Sequence, residues 1–432
     1  MFPLTRQSFV KSVLILLCLT SGLSSQQSVY AQAGGAAAPP PAAGNAPAKW
    51  MPPSWYMDTG AADKFEREKI SILQFMKTNN PSNAQVKQLS RVADYYLSKI
   101  THDEVRQSIP KAVNQRLLSD ILTPSARPNG RAALLDEILK KIPEILNHPS
   151  DVVRTNALIL LSEMSIEPSD FQKKTPAVPY TPTHKILIQV LEDSQQLRES
   201  KIIASRGLAR ICRDDINNTL SSNERSDVAN ALTSAIQAIP VSSEDEDWWY
   251  RFRLVEALGF VNRLDNVNGE PVVIDTILAT LSNPKEHLLV RSQAALSISR
   301  LPLAGSTNVQ LITSQISKLL LRLSVEFMKD PQADHWRDYF SRVFLSFRPE
   351  TQVEADKGWG LLYQVRKGGL GGNSAYVEAA FERAMPIFKA ILQPETPTSI
   401  PASILKTFQE WVQNNLPSNK KVTPASKALE KL

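Results

Sequence analysis

The sequence predicts an all-α protein, and two observations support that prediction. Residues 148–165 contain a proline turn followed by a segment whose apolar residues recur at helical spacing. Five of these residues fall on one face of the predicted helix: Val153, Ala157, Leu160, Leu161 and Met164. Similar stretches recur downstream, as in proteins built from stacked pairs of helices. The sequence therefore predicts a helical repeat in which each unit supplies an apolar wall to the next.

A basic residue occupies the same place in four such stretches. These residues are Arg154, Lys201, Arg251 and Arg291, separated by 47, 50 and 40 residues. Helix-pair repeats have a period of roughly 40–47 residues, and two of the three intervals fall slightly outside it. The apolar face behind the basic residue is repeated by Ala157 and Leu161, by Ala204 and Leu208, and by Ala294 and Ile298. An apolar helix is predicted upstream of each stretch, over 131–146, 184–191, 226–239 and 272–281.

The first of these stretches resembles the second helix of the HEAT-repeat family. That helix typically carries an Asp, a Val-Arg pair and an Ala-x-x-x-Leu pattern, here matched by Asp151, Val153, Arg154, Ala157 and Leu161. The second and third stretches depart from it, with Lys201 in place of Arg and Leu254 in place of Ala. The resemblance implies a right-handed superhelix of helical hairpins, an α-solenoid. It also implies that each Arg pairs with the Asp of a neighbouring repeat.

The beginning of the chain is typical of an exported protein. Arg6 and Lys11 precede or enter a short apolar run over 13–23, and Ala31 ends a small-residue cleavage site. We expect residues 1–31 to be a signal peptide, with an uncleaved N-terminal anchor as the alternative. Residues 32–49 are rich in Ala, Gly and Pro and are expected to form a disordered tether. The product is then expected to be periplasmic or secreted.

The rest of the chain divides by pattern. We expect an N-terminal helical cap region over 50–130, HEAT-like repeats over 131–301, a C-terminal helical region over 302–416 and a flexible basic tail over 417–432. Residues 50–57 are expected either to cover the first helix pair or to dock a partner. Four prolines predict a loop over 167–182.

Composition excludes several classes of function. The net charge of +6 is mild for 432 residues and does not favour nucleic acid as a partner. No later apolar run is long enough to cross a membrane, so no transmembrane segment is expected after signal removal. The five histidines show no metal-ligand spacing, and no catalytic motif is found, so we expect no metal, no cofactor and no catalytic residues. Cys212 is expected to be a buried structural thiol.

The candidate partner-binding residues are Trp248, Trp249, Arg251 and Arg291. Because neighbours on a helix point in different directions, one of the two tryptophans should face solvent beside the acidic run 244–247. That run could also satisfy the N-terminus of the following helix. The basic residues could form a stripe for an anionic ligand, or they could be structural, as the resemblance implies.

These observations favour a non-enzymatic exported scaffold that mediates protein–protein interaction in the cell envelope. A protein or peptide partner would lie along the shallow groove that stacked helix pairs form. One alternative is an α/α-array enzyme acting on polysaccharide, which would use Asp334, Asp338 and Glu354 near Trp336, Tyr339 and Trp359. Another is a structural envelope component that self-associates. The sequence leaves the oligomeric state open.

Overall fold

The computed structural model describes residues 50–102, 116–170, 172, 175–241, 247–367, 374–393 and 399–429. Helices dominate these residues, and only two short strands interrupt them. The predicted all-α class is therefore confirmed. The predicted signal peptide and tether, residues 1–49, and residues 103–115 of a further predicted helix lie outside the described residues. No helix among those described combines the length and apolarity needed to cross a membrane.

The chain divides into two compact units. The first unit comprises the described residues of 50–277 together with 285–290, and the second comprises 278–284 and the described residues after 291. The division falls within two helices, α9 (Val272–Ser282) and α10 (Leu288–Ile298). The sequence predicts one repeat region over 131–301, so the division lies inside its fourth stretch.

The first unit contains eight helices outside α9 and α10 for which both ends are described. They are α1 (Thr59–Leu73), α2 (Asn83–Thr101), α3 (Pro128–Leu146), α4 (Asp151–Glu163), α5 (His184–Glu192), α6 (Arg198–Asp214), α7 (Ser222–Ala238) and α8 (Trp248–Leu258). A 3-10 helix, Gln74–Lys77, follows α1, and residues 116–121 are helical. The helices predicted over 131–146, 184–191 and 226–239 correspond to α3, α5 and α7.

The second helices of the predicted pairs lie side by side. Helices α4, α6 and α8 contact one another in succession, while α5 contacts α7. The expected core face is buried, with Val153, Ala157 and Leu161 at most 1% exposed and Ala204 and Leu208 fully buried. Gly207 is needed for this packing because a Cβ there would lie 2.7 Å from Ser162 Oγ on α4. Small residues on α6 thus let its neighbours approach closely.

The N-terminal segment 50–57 packs across α2 and α3 rather than across the first pair, α1 and α2. Trp55 Nε1 donates to Glu144 Oε1 of α3 at 3.0 Å, and the Met57 amide donates to Ser98 Oγ of α2 at 2.9 Å. The Trp50 ring lies 4.5 Å from the His148 ring. The segment therefore covers helices, as expected, but the pair is α2 and α3. The oxygen atoms that accept its hydrogen bonds, on Ser98 and Glu144, lie on these two helices.

The prediction that residues 167–182 form a loop is wrong in part, because two short strands in this region pair as a small hairpin. Strand β1 (Ser165–Glu167) pairs antiparallel with β2 (Val178–Pro179), and a 3-10 helix, Thr181–Thr183, leads into α5. The Tyr180 amide donates to Met164 O at 3.0 Å. Strands this short produce no alternating pattern that sequence reading could detect. Pro179 is tolerated because it lies at a strand end, where no ladder donor is required.

The second unit contains helices of unequal length. They are α11 (Val309–Phe327), α12 (Trp336–Phe347), α13 (Gln352–Asp356), α14 (Leu361–Arg366), α15 (Ser374–Leu392) and α16 (Ala402–Asn414). They occupy most of the C-terminal helical region expected over 302–416. The short helices α13 and α14 were not predicted, since each is too short to show a periodic face.

The tail after residue 416 is expected to be flexible, but its described residues, 417–429, are held by hydrogen bonds. The Asn308 amide donates to Val422 O at 2.7 Å, and Asn308 Nδ2 donates to Asn419 O at 2.9 Å and to Lys421 O at 3.1 Å. Val422 is 1% exposed. The tail is held at the start of α11 by the side chain of Asn308 and by the burial of Val422. The polar composition of the tail does not predict these contacts.

Candidate partner-binding surface

The two candidate tryptophans open α8 and point in different directions. Trp248 is half-buried, and its ring stacks on the His287 ring at 4.7 Å between centroids and an interplanar angle of 15°. Trp249 is 38% exposed. The sequence prediction that one of the pair faces solvent is therefore met by Trp249. Of the acidic run before them, residues 244–246 lie outside the described residues. Asp247 pairs with Arg198, at 2.5 Å between Oδ1 and Nη1.

The indole of Trp249 is held rigidly although it is exposed. It lies parallel to the Phe252 ring, with centroids 5.2 Å apart and an interplanar angle of 2°. The Arg253 guanidinium lies over the indole at 4.3 Å from the ring centroid and donates to Glu256 Oε2 at 2.7 Å. An aromatic ring fixed in one position loses little conformational entropy on binding, which is the property of residues that dominate interface energetics.

Arg251 lies in the interior of the first unit. Its side chain is 4% exposed and that of its partner Glu286 is fully buried, with Arg251 Nη2 2.5 Å from Glu286 Oε2. Arg251 Nη1 also donates to Ile236 O at 2.7 Å and to Ile239 O at 3.0 Å, at the end of α7. The guanidinium is therefore not available at the surface to an anionic ligand.

The same arrangement recurs at the other arginines of the predicted series. Arg154 Nη1 donates to His148 O at 2.7 Å, just beyond the end of α3. Arg291 Nε donates to Leu281 O at 2.9 Å in the last turn of α9, and Arg291 is 6% exposed. The last carbonyls of a helix lack partners within it, and a cation is favoured there by the helix dipole. Arg251 and Arg291 thus cap the end of the preceding helix, whereas Arg154 binds the turn that follows it, roles that the sequence pattern alone did not identify.

Arg154 and Arg251 differ in their acidic partners. Arg154 pairs with Asp151, three residues earlier on its own helix. Arg251 pairs with Glu286, which precedes α10 and thus belongs to the next predicted stretch. Arg291 lies in the second unit, so it is not part of the surface around Trp249.

Two of the three carboxylates considered for polysaccharide chemistry, Glu354 and Asp338, have structural partners, and Asp334 is exposed. Glu354 completes a capping box at α13, where it accepts from the Thr351 amide, and it lies 3.7 Å from Arg300. Asp338 lies 3.1 Å from Arg342 Nη2, one turn along α12. Trp336 is 6% exposed and donates through Nε1 to Asp330 O at 2.7 Å, so it does not offer an open ring face.

Cys212 is buried within α6. Burial raises the pKa of the Cys212 thiol to about 12, so the thiol stays protonated near neutral pH. This agrees with the structural thiol expected from the sequence. Among the described residues no group of three or more His, Cys, Asp or Glu side chains is arranged to hold a metal ion.

Sequence reasoning missed a polar cluster around Lys69 of α1. Lys69 is 4% exposed, and its ammonium donates to Tyr96 Oη at 3.0 Å and to Asp120 Oδ2 at 3.3 Å. Burial and the neighbouring Asp120 raise the pKa of Tyr96, so the phenol remains neutral and donates to that carboxylate. These residues lie 24 to 51 positions apart and match no local motif, so only the position of Lys69 on the apolar face of α1 could have suggested burial.

No family model matches this chain, and neither a curated protein nor a solved structure matches it.

Proposed function

We propose that this chain is a non-enzymatic, exported helical-repeat scaffold that binds a protein partner in the cell envelope. The proposed architecture is a HEAT-like solenoid over residues 131–301. Two features support it: the successive contacts of α4, α6 and α8, and the arginine that caps the preceding helix in two of the four stretches. The signal-peptide pattern of residues 1–31 supports the proposed export.

The observation that carries the binding proposal is the exposed, rigidly held indole of Trp249. The indole is held by its contacts with Phe252 and Arg253 and can bury apolar area against a partner without first being ordered. Arg253 adds a planar cation at the same place, and Trp and Arg are the residue types most enriched in interface hot spots. Arg251 supports this surface only by fixing α8 against the end of α7.

The test is affinity capture from an envelope extract of the source organism with the full chain as bait. Protein captured by the wild type is identified by mass spectrometry, purified, and titrated against each variant by calorimetry. Trp249→Ala should weaken binding by about thirtyfold, the effect of a hot-spot residue worth about 2 kcal/mol. Val267→Ala is the matched control because Val267 is 55% exposed in the same unit but lies outside α8.

The proposal is supported if Trp249→Ala loses the partner while Val267→Ala retains it and both variants unfold at the wild-type temperature. Equal affinity for the two variants would show that this surface is not the binding site. Release of sugars from purified cell-wall glycans by the wild type would instead favour the enzyme alternative.

A further inference from the structure

A cavity of about 470 Å³ lies in the first unit, separate from the surface around Trp249. It is bounded by α1, by the 3-10 helix Gln74–Lys77 and by residues 116–125. Its volume falls within the range of small-molecule sites in proteins. Three cationic and two anionic side chains line it: Lys69, Lys77, Arg116, Glu66 and Asp120. Positive charge is therefore in excess by one.

The buried end of the cavity is neutralised internally. The Lys69 ammonium lies 3.3 Å from Asp120 Oδ2 and 3.6 Å from Glu66 Oε1. It also lies over the rings of Tyr95 and Tyr96, at 5.0 and 4.8 Å from their centroids. A buried charge with this many partners is a fixed part of the wall. It holds Asp120 and Glu66 in place and leaves the outer cations to meet a ligand.

The outer cations are weakly engaged. Arg116 has a side chain that is 72% exposed, and its closest carboxylate contact is with Glu66, at 3.9 Å between Nη1 and Oε1. Lys77 is exposed, and within the described part of the chain no carboxylate lies at ion-pair distance from its ammonium. Two exposed cations that line the same cavity attract an anionic group, most strongly at low ionic strength.

One wall of the cavity is apolar although it faces solvent. Ile70 is 64% exposed, a large fraction for this residue type, and Leu73 beside it is half-buried. Both lie on α1, one turn apart. Thr123 and Ser125 also line the cavity, and their hydroxyl oxygens lie 3.4 Å apart. A ligand that fills this space therefore needs an apolar portion for α1 as well as a negative charge for the rim.

The walls are held rigidly. Arg131 is 2% exposed and donates to Ile121 O at 2.7 Å, Thr123 O at 3.2 Å and Ala126 O at 3.1 Å, which fixes the loop that carries Thr123 and Ser125. The Arg127 amide donates to Met76 O at 2.8 Å and ties the same loop to the 3-10 helix. A preformed cavity costs little conformational entropy when a ligand binds.

We propose that this cavity binds a small carboxylate that bears a short branched apolar chain. The carboxylate lies between Arg116 and Lys77. The planar guanidinium of Arg116 can donate two hydrogen bonds to it, and the ammonium of Lys77 provides a compact positive charge. The apolar chain packs on Ile70 and Leu73, and the hydroxyls of Thr123 and Ser125 bind polar atoms between the two ends. This inference does not depend on the proposed partner-binding role.

The test uses N-acetyl-L-leucine as the probe and its neutral carboxamide, N-acetyl-L-leucinamide, as the matched compound, titrated into the full chain by calorimetry. The acid should bind with a Kd of about 1 mM, as expected for a ligand of this size, and the amide about tenfold more weakly. Raising the salt concentration should weaken binding of the acid and leave the amide unchanged.

Variants separate the two halves of the site. Arg116→Gln and Lys77→Gln should each weaken binding of the acid by about three- to tenfold, whereas Lys64→Gln, an exposed lysine of α1 outside the cavity, should not. Ile70→Ser should weaken the acid and the amide alike. Equal affinity for acid and amide, or equal loss with Lys64→Gln and Arg116→Gln, would overturn the assignment of an anion site. Absence of binding by a folded wild-type chain would overturn the cavity as a ligand site.

Discussion

Two helix contacts, one in each unit, are packed with different side chains. Where α4, α5 and α6 meet in the first unit, the contact residues are small or aliphatic, and Gly207 leaves no room for a Cβ. In the second unit, aromatic rings fill the space between α12 and α15: Phe344, Phe347, Phe381 and Phe388, with centroids 5.4 to 6.4 Å apart. Small residues permit a regular close approach of similar helices, whereas large rings fill the uneven gaps between helices of unequal length.

The same difference appears in how helix ends are satisfied. In the first unit, Arg251 donates to the last carbonyls of α7 and to the buried Glu286. In the second unit, Tyr376 donates to Asn415 O just beyond α16 at 2.6 Å. An arginine that recurs at the same position of successive stretches can be recognised in the sequence, whereas the single contact of Tyr376 cannot.

The largest effect that this comparison predicts is loss of stability in Arg251→Met. The substitution leaves the Glu286 carboxylate buried without its partner and the end of α7 without a donor, which should cost about 3–5 kcal/mol of unfolding free energy. Urea unfolding measures it. The double variant Arg251→Met/Glu286→Leu should regain much of the loss, because both buried charges are then absent. A single variant within about 1 kcal/mol of wild type would contradict the buried pair.

Gly130→Ala should be next in size. A Cβ at Gly130 would lie 2.4 Å from Met76 O, a backbone atom that cannot move without displacing the 3-10 helix. We expect a loss of about 1–3 kcal/mol in unfolding free energy. Gly60→Ala is the matched control, since its Cβ would come no closer than 3.6 Å to Asp58 Oδ1, and it should raise stability by a few tenths to about 1 kcal/mol through the lower entropy of the unfolded chain. Equal effects would show that α3 does not pack this closely.

Phe388→Leu should have a smaller effect on the second unit. The leucine keeps the burial of an apolar side chain but loses the ring contacts with Phe344 and Phe381, worth about 0.5–1.5 kcal/mol. The measurement is again urea unfolding. A loss above about 3 kcal/mol would indicate a core as intolerant of change as the close helix contacts of the first unit.

The smallest effect concerns the capping box at α7 and depends on pH. The Ser221 amide, which donates to Glu224, holds the pKa of the Glu224 carboxyl below its ordinary value of 4.5. Because the pKa is lower in the folded state, the ionised carboxylate stabilises the fold above the ordinary pKa, and this stabilisation is lost as the pH falls through the folded pKa. Glu224→Ala should therefore cost about 0.5–1 kcal/mol near neutral pH and less in acid. A cost that grows on acidification would contradict this sign.

The sequence predicted the helices with an extended periodic face and their buried positions, including Ala157, Leu161, Ala204 and Leu208. It could not predict the hairpin of β1 and β2 or the helices α13 and α14, because each is too short to repeat a periodic pattern of apolar residues. At the candidate surface it predicted that one tryptophan would be exposed. It did not show that Arg251 would be buried, because the acceptors of its guanidinium are carbonyls and a glutamate far away in the chain. The cluster of Lys69, Tyr96 and Asp120 was missed for the same reason.

Hydrogen–deuterium exchange of the wild-type protein, read by mass spectrometry, tests the stacked-helix arrangement most directly. Helix α6 contacts α4, α5, α7 and α8, whereas α1 contacts mainly α2 and the 3-10 helix that follows it. Amides exchange most slowly where a helix is enclosed by its neighbours. Peptides from α6 should therefore exchange more slowly than peptides from α1. Exchange of α6 as fast as that of α1 would contradict the arrangement on which the proposed scaffold rests.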